Sequence, residues 1–547
     1  MKSMNQYLNP DIVLYNGVFA SNNLIHTLLL GVEAIAIAQD KIIALGKTDE
    51  MLNLATAATE KIDLNGRLVI PGCIDTHIHF YEWALRRRDL QLEGLKSLDD
   101  LLRLVRQEAE GKNPGDWIMG QGWNETDWST AIQPNRQMLD QAAPDNPVLL
   151  WRCDLHLAVA NSEALRQAGI DHSTLDPPEG LIERDDNGDP TGALRELAIN
   201  LVRQAVPSPE DSHLVQTFED GISALHRMGI TGIHDIRLMS DDDGARSFRT
   251  FETLDLENRL NLRCWMSLPG HRLDDIISLG LRTGFGNDKL RIGHVKFFSD
   301  GGVGARTAWM LEPYLDAECG MPLIDMAELA VEIEKADRAG LSVMAHAIGD
   351  RANRELIKIF LELEDRRKQW GLPKPQIPHR LEHVQMIRPE DIDRLKNTGL
   401  ALCVTPANMI LDINLIESAV GDGGQWAYSF RELMETGRPV MFSSDCPVCN
   451  PAPLPAMHAA VTRQRPDGTP QDGWYAESCI SVAQALNAYT STPATVHNCK
   501  DIGLISLGKK ADLAVLSHNI LSEPPSAILE AQVDMTIFDG SIVHRLF

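Results

Sequence analysis

Short apolar strands alternate with amphipathic helices along much of this 547-residue chain, and this alternation limits the fold more than any other feature. One strand is expected just before His77, and seven more are predicted at residues 230–235, 262–266, 291–298, 341–346, 380–383, 400–405 and 439–445. Helices are predicted between several of them, at 210–228, 326–339, 350–361, 389–397 and 430–435. Eight strands separated by helices predict an α/β fold with a (β/α)8 barrel of the TIM type.

The two ends of the chain lack this alternation and contain short predicted strands with turns. Residues 1–70 and 500–547 share this character, so we expect them to form one small β unit together. The barrel would use residues 71–90 and 205–499. Residues 91–204, which include a stretch rich in Pro, Gly, Asp and Asn, are predicted to be a large insertion after the first strand that roofs the active site.

The composition restricts the partners of such a protein. The net charge of −26 argues against nucleic acid, because phosphate binding needs a basic surface. No apolar run is long enough to cross a membrane, and the N-terminus lacks the apolar core of a secretory signal. The nine cysteines follow no pairing pattern, which is typical of a reduced, cytoplasmic protein. We therefore expect a cytoplasmic protein that binds a small molecule and neither nucleic acid nor membrane; a homo-oligomer is compatible with the sequence.

Residues 71–80, P-G-C-I-D-T-H-I-H-F, carry the strongest chemical signal in the chain. His77 and His79, here called the H-x-H pair, are two positions apart, so in an extended strand both imidazoles face the same side. Neutral ring nitrogens that converge on one point can hold a metal ion. Taken alone, the pattern fits two ordinary strand-end histidines equally well, so the rest of the chain must decide.

Other residues of metal-binding type fall at the ends of later predicted strands, the face on which such barrels form their active sites. In chain order they are Lys296, His346, His383 and Asp445, on the fourth, fifth, sixth and eighth strands. Each histidine alone is more typical of a core or loop residue than of a ligand. Because they share one end of the barrel with the H-x-H pair, the set as a whole predicts a metal centre.

Lys296 is unexpected in such a set, because an ammonium group repels metal ions. A neutral lysine amine can react with carbon dioxide to give a carbamate, whose two oxygens can bridge two divalent metal ions. Two ions about 3.5–4 Å apart can share a hydroxide near neutral pH, and a nearby carboxylate can accept its proton. The alternative for Lys296 is a salt bridge to Asp300 or another neighbouring carboxylate. Zinc suits histidine and carboxylate ligands, whereas manganese, iron and cobalt stay open.

Six motifs surround or follow these residues: P-G-C-I-D-T-H-I-H from Pro71, H-V-K-F-F-S-D-G-G-V-G-A-R-T-A from His294, H-A-I-G-D-R-A from His346, L-E-H-V-Q from Leu381, S-S-D-C-P-V from Ser443 and G-L-I-S-L-G-K-K-A-D-L-A-V-L from Gly503. Together they resemble those of the amidohydrolase superfamily, and within it the YtcJ-like group that includes N-substituted formamide deformylase. The resemblance covers nearly the whole chain. It implies a barrel joined to a small β-sandwich built from both chain termini, in agreement with the strand pattern.

The resemblance also implies a role for each residue of the predicted centre. The H-x-H pair and Asp445 would hold the first metal ion. His346 and His383 would hold the second, and carboxylated Lys296 would bridge the two ions. Asp445 would also take a proton from the bridging hydroxide and later give it to the leaving nitrogen.

Four further residues are predicted to contact the substrate. Trp123 lies in the family-like stretch G-W-N-E-T-D-W and indicates a partly apolar substrate. Asp154 and His156 lie in R-C-D-L-H-L, where Leu155 replaces the glycine that is usual in the family, and a role in loop structure is the alternative. Arg306 follows the fourth strand, and its guanidinium could bind a substrate carboxylate or form a structural salt bridge.

Together these observations predict a metal-dependent hydrolase that cleaves a non-peptide C–N bond in an amide, formamide or cyclic amide by attack of a metal-bridging hydroxide. An esterase or lactonase with the same two metal ions is an alternative, because water activation does not select the leaving atom. A single-metal deaminase is another, although that class lacks the lysine of the fourth strand. A non-catalytic binding relative would be expected to have lost ligands, and none is lost here. The substrate itself is left open.

Overall fold

The computed structural model of the protein describes residues 9–21, 27–125, 128–152, 157–177, 180–207, 209–237 and 243–547. Its first segment is made of short strands and one helix. In chain order these are β1 (Ile12–Tyr15), β2 (Val18–Phe19), β3 (Ala34–Ala38), β4 (Lys41–Gly46), α1 (Thr48–Leu52), β5 (Glu60–Asp63) and β6 (Leu68–Pro71). The strand β7 (Cys73–Ile78) and the helix α2 (Phe80–Arg86) follow and begin the barrel.

Residues 82–217 form a compact unit of their own. Its elements are β8 (Leu90–Gln91), α3 (Leu98–Glu110), β9 (Ile118–Trp123), α4 (Arg136–Ala142), β10 (Val148–Arg152), β11 (Leu157–Ala160), α5 (Ser162–Gln167), β12 (Gly180–Arg184), β13 (Pro190–Glu196) and α6 (Ile199–Arg203). The strands form one sheet in the order β12-β13-β11-β10-β9-β8. This unit is the large insertion after the first barrel strand; the domain limits drawn from sequence, and the placement of the insertion over the active site, stay predictions.

The second unit comprises residues 1–81 and 218–547 and contains the barrel. Its remaining barrel strands are β14 (Ile230–Asp235), β15 (Arg263–Pro269), β16 (Leu290–Phe298), β17 (Val343–Ala347), β18 (Arg380–His383), β19 (Ala401–Val404) and β20 (Val440–Phe442). The helices between and after them are α7 (Asp211–Arg227), α8 (Gly244–Leu256), α9 (Leu273–Ser278), α10 (Met326–Arg338), α11 (Asp350–Gln369), α12 (Pro389–Leu395), α13 (Pro406–Val420), α14 (Phe430–Glu435), α15 (Pro453–Thr462), α16 (Val482–Tyr489) and α17 (Ser491–Val496).

The eight barrel strands are parallel and lie in the order in which they occur along the chain, from β7 through β14 to β20. A bridge between Ile78 and Cys446 joins the first strand to the segment after the last one. Two backbone hydrogen bonds support it: the N–H of Asp445 donates to His77 O (2.8 Å), and that of His79 donates to Cys446 O (2.8 Å). The predicted α/β barrel is thereby confirmed as a nearly closed barrel.

The eighth strand is shorter than predicted, because it ends at Phe442 rather than Asp445. Asp445 has a φ of 54°, a left-handed conformation that cannot continue a strand. The preceding Ser444 turns toward the first strand, where its Oγ donates to Asp75 Oδ2 (2.5 Å). The turn therefore carries Asp445 back over the end of β7, next to the H-x-H pair.

The two ends of the chain form a β-sandwich, as predicted. The tail contributes β21 (Leu513–Leu516), the short helix α18 (Ala527–Glu530), β22 (Val533–Phe538) and β23 (Ser541–Arg545). One sheet has the order β4-β3-β1-β5, and the other, β2-β6-β21-β22-β23, mixes strands from both ends. Apolar side chains of both sheets, such as Ile35, Val69 and Leu513, share one buried core. Within the described residues, no helix is both long and apolar enough to span a membrane.

Candidate metal centre

The carboxyl-terminal ends of the barrel strands bring the predicted ligands together, as parallel strands in a barrel must. His77 lies in β7, Lys296 in β16, His346 in β17 and His383 at the end of β18. Successive imidazole rings follow one another across this end of the barrel. The centroids are 5.5 Å apart for His79 and His77, 5.0 Å for His77 and His383, and 4.5 Å for His383 and His346.

The H-x-H pair and Asp445 form the tightest group. Asp445 Oδ1 lies 3.4 Å from His77 Nε2 and 3.3 Å from His79 Nε2. The donor atoms of all three residues lie within 4.8 Å of one another. Tetrahedral ligands about 2.0 Å from a zinc ion are about 3.3 Å apart, so the spacing fits a metal ion.

The other nitrogen of each histidine is already engaged, which fixes the tautomer. His79 Nδ1 lies 2.9 Å from Ile236 O, so it carries the proton and Nε2 keeps its lone pair. His77 Nδ1 lies 2.6 Å from Glu382 Oε2, with the same consequence. His77 Nε2 is fully enclosed and has no hydrogen-bond partner among the described residues. A buried lone pair without a donor is costly, and a metal ion at this point would satisfy it.

The ionisation states also suit metal binding. Burial lowers the pKa of His77 well below its usual value, and the charge of Lys296 adds to this, so the imidazole is neutral at neutral pH. Burial likewise lowers the pKa of His346 and of His383. Burial by itself raises the pKa of Asp445, but its contacts with the neighbouring histidines, above all His79, outweigh burial, so the net shift is downward. The group therefore offers neutral imidazoles and one carboxylate.

Lys296 is only 2% exposed, and burial lowers its pKa to about 8. The alternative role for Lys296, a salt bridge to Asp300, is not observed. Lys296 makes no ion pair with any residue that the structure describes. Asp300 instead accepts backbone N–H groups from Trp309 (2.9 Å) and Gly349 (2.8 Å). The lowered pKa makes the neutral amine, the form that reacts with carbon dioxide, more abundant than in an exposed lysine.

Backbone strain is concentrated at the same place. His383 and Val384 have φ values of 70° and 44°, and Asp445 has 54°. Residues other than glycine rarely adopt such positive φ values, and each of these residues costs on the order of 1–3 kcal/mol of folding free energy. The fold tolerates this cost at the residues that aim ligands into the barrel mouth.

Glu382 also belongs to the site, although no role for it was predicted from sequence. Its carboxylate contacts His77, and Arg380 binds it with two hydrogen bonds, from Nε to Oε1 (2.8 Å) and from Nη2 to Oε2 (2.9 Å). Arg380 also contacts His234 Nδ1 (2.7 Å), and all these side chains are buried. Burial alone would raise the pKa of Glu382, but the charge of Arg380 outweighs it and keeps the carboxylate ionised. In the sequence, only the position of Glu382 directly before His383, in L-E-H-V-Q, indicates a role at the site.

A second group, made of His77, Glu382 and Cys403, also places three donor atoms close together. Burial raises the pKa of the Cys403 thiol to about 12, so the sulfur stays protonated. Glu382 is already bound by Arg380. Because the Glu382 carboxylate contacts both Arg380 and His77 Nδ1, this second group orients His77.

We expect Glu382→Gln to weaken metal binding by about 10- to 100-fold, because His77 loses the carboxylate that orients it and raises its basicity. The variant should also melt at a lower temperature, since Arg380 would remain buried without a counter-charge, at a cost of about 3–5 kcal/mol. Competition with a chelator and thermal melting measure the two effects. Glu390→Gln, which removes an exposed partner of Arg354, is the matched control. Unchanged metal affinity in Glu382→Gln would contradict this role.

The four residues predicted to contact the substrate lie in different parts of the structure. Trp123 is fully buried in the core of the inserted unit, with its ring 6.2 Å from that of Trp128. Asp154 and His156 lie outside the described residues. Arg306 has both ends of its guanidinium on Asp316, with Nε and Nη2 each 2.8 Å from a carboxylate oxygen. A substrate role for each of these residues stays a prediction.

Comparisons with known proteins identify the family of this chain. A family model described as the amidohydrolase family matches residues 60–544. YtcJ of Bacillus subtilis is 30% identical over 491 residues, which cover 89% of this chain and 91% of that protein. The N-substituted formamide deformylase of Arthrobacter pascens is 25% identical over 531 residues, which cover 94% of this chain and 95% of that protein. The resemblance inferred from the motifs is thus confirmed.

Solved structures agree as well. The structure of an uncharacterized metal-dependent hydrolase from Pyrococcus horikoshii OT3 has a TM-score of 0.74 and 27% identity, and the match covers 94% of this chain and 99% of that one. A variant of atrazine chlorohydrolase TrzN from Arthrobacter aurescens, complexed with zinc and atraton, has a TM-score of 0.53 and 14% identity, with 98% and 95% covered. The second likeness concerns the fold alone. By its sequence and by its barrel, the chain belongs to the amidohydrolase family.

Proposed function

We propose that this protein is a metal-dependent hydrolase that cleaves the C–N bond of a small amide, formamide or cyclic amide. The observation that carries the proposal is the enclosed, unpartnered Nε2 of His77, which faces His79 and Asp445 at metal-ligand spacing. No hydrogen bond inside the described chain satisfies this nitrogen. The deformylase relative, named for N-substituted formamides, supports a C–N bond as the target.

Two divalent metal ions, with zinc as the expected element, would occupy the site. The H-x-H pair and Asp445 would hold one of them, and His346 with His383 would hold the other. Among the described residues, no group of three mutually close ligand atoms includes this second pair, although Asp300 Oδ1 lies 3.7 Å from His346 Nε2. A carbamate on Lys296 would supply a further ligand to both ions. The amine is buried, has a lowered pKa and makes no ion pair with any described residue, which supports this modification.

When bound, the ions would lower the pKa of a water molecule toward neutrality and polarise the substrate carbonyl. Asp445 would act as the general base that accepts a proton from the attacking water, because its carboxylate is ionised and lies at the ligand cluster. It would then donate this proton to the leaving nitrogen. The net reaction adds water across the C–N bond and yields a carboxylic acid and an amine. Glu382 would keep His77 in place through these steps.

A substrate panel tests the proposal. Protein purified with zinc and bicarbonate should hydrolyse at least one class among N-formyl amines, N-acetyl amines and cyclic amides. Matched esters and lactones should be poorer substrates, since the proton that Asp445 delivers matters most for an amine leaving group. Release of amine, followed colorimetrically, is the measurement. Preference for esters and lactones would instead favour an esterase, and no turnover of any compound by metal-loaded protein would contradict the proposal.

A further inference from the structure

Arg237 lies two residues after β14, on the same end of the barrel as the candidate metal centre. Its side chain is only 6% exposed. Its backbone N–H donates to Ser267 Oγ (2.7 Å) on the neighbouring strand β15, which fixes the start of the side chain. The position therefore holds a cation rigidly at the catalytic face.

The guanidinium of Arg237 is incompletely satisfied. Its Nη1 lies 3.2 Å from Asp243 Oδ2, yet neither Nη1 nor Nε has a hydrogen-bond acceptor with acceptable geometry in the described part of the chain. A guanidinium carries five N–H donors, and each buried donor without an acceptor costs about 1–3 kcal/mol. A structural ion pair would be expected to use these donors. Their lack of acceptors indicates a ligand that is not part of the chain.

Arg237 also lines a cavity that reaches Lys296. The lining of this cavity includes the apolar residues Pro269, Leu273, Phe297, Phe298, Leu323 and Ile324. The lining also contains the acidic residues Asp274, Glu328 and Glu332. Asp274 and Glu332 both contact Lys335 Nζ, which offsets part of their charge. A molecule that fills the cavity would thus meet the Arg237 cation, apolar side chains and Lys296, the predicted bridging residue of the metal centre.

Other arginines at this end of the barrel are already engaged. Arg306, the residue that the sequence suggested for a substrate carboxylate, uses its Nε and Nη2 on Asp316. Arg380 is fully buried and binds Glu382, His234 and a backbone carbonyl. Arg237 combines a place on the cavity wall with donors that lack acceptors.

We infer that Arg237 binds a carboxylate of the substrate and so selects small amides that carry both a carboxylate and an apolar group. The inference rests on the proposed function and narrows its substrate class. Arginine suits this task because its planar fork matches the two oxygens of a carboxylate.

With N-formyl-leucine as the probe, water adds across the formyl C–N bond. The bond breaks, formate is released, and the proton goes to the amino group of leucine.

The test compares N-formyl-leucine with N-formyl-leucinamide, which has the same apolar group but no carboxylate. In Arg237→Met, the KM for N-formyl-leucine should rise about 100-fold with kcat changed less than about threefold, because a buried ion pair with the substrate is lost. The KM for the leucinamide should change less than about threefold. Arg237→Lys, which keeps the charge but not the fork, should lie between the wild type and Arg237→Met. Arg272→Met, which removes an exposed arginine paired with Asp275, should leave the KM for both substrates unchanged.

Equal changes in KM for both substrates, or no change for either, would overturn the inference and leave Arg237 a structural residue. A second measurement separates this result from failure of the proposed function. Binding of 4-methylpentanoate and of its amide to metal-loaded protein, followed by calorimetry, needs no turnover. The acid should bind the wild type and lose about 100-fold in affinity in Arg237→Met. If the wild type hydrolyses no amide yet shows this pattern, the proposed reaction fails and the carboxylate site stands.

Discussion

Asp445→Asn is expected to lower kcat by about 10³-fold or more on any amide that the wild type hydrolyses. The substitution removes the general base, an effect of about 10²–10⁴-fold by itself, and it also weakens a ligand of the first metal ion. Asparagine keeps the shape of the side chain, so the turn with its left-handed backbone can still form. Steady-state kinetics at saturating metal measure the loss.

The control for this experiment is Asp316→Asn, which removes an exposed carboxylate paired with Arg306. Its kcat should stay within about twofold of the wild type. If Asp445→Asn kept more than about a tenth of the wild-type kcat with metal bound, Asp445 could not be the base. The proton acceptor would then have to be another group at the centre.

Lys296→Met is expected to abolish the second metal site and to lower kcat on the order of 10³-fold. Methionine has nearly the same length and is apolar, so it fits the buried position, but it cannot form a carbamate. Because burial lowers the pKa of Lys296 to about 8, the neutral amine becomes more abundant as pH rises toward that value. When metal is removed from the wild type and zinc is restored, the recovered activity should depend on added bicarbonate, because bicarbonate supplies the carbon dioxide for the carbamate. Lys296→Met should show no such dependence.

Lys289→Met provides the matched control, since Lys289 precedes β16 at the opposite end of the strand that carries Lys296. Its activity and its bicarbonate dependence should equal those of the wild type. Full activity of Lys296→Met, with or without bicarbonate, would exclude a bridging carbamate. The single-metal alternative would then describe the site better.

The barrel was accessible from sequence because its strands are short apolar runs with regular spacing. The prediction for residues 230–235 coincides with β14, and the metal-type residues fall at strand ends, where the topology must bring them together. The helices α13 and α15 escaped detection for a physical reason. Both are apolar on most sides, so neither has an amphipathic stripe. Both also begin with a proline, a residue that in sequence is as typical of a turn as of the first position of a helix.

The supporting residues of the site could not be predicted in the same way. Glu382 contacts His77 across 305 positions of sequence, and only the register of the closed barrel brings them together. Arg237 lies in an ordinary stretch after β14, with no motif around it. What distinguishes it is burial beside a cavity and donors without acceptors, and both are properties of the fold.

Metal content per chain is the most direct test of the central claim that these strand ends form a two-metal hydrolase centre. Elemental analysis should be made on wild type and Lys296→Met, both purified with bicarbonate. About two divalent ions per wild-type chain, falling to one or none in the variant, is the predicted result. One ion in both proteins would contradict the bridged centre, and no metal in correctly folded wild type would contradict a metal-dependent hydrolase altogether.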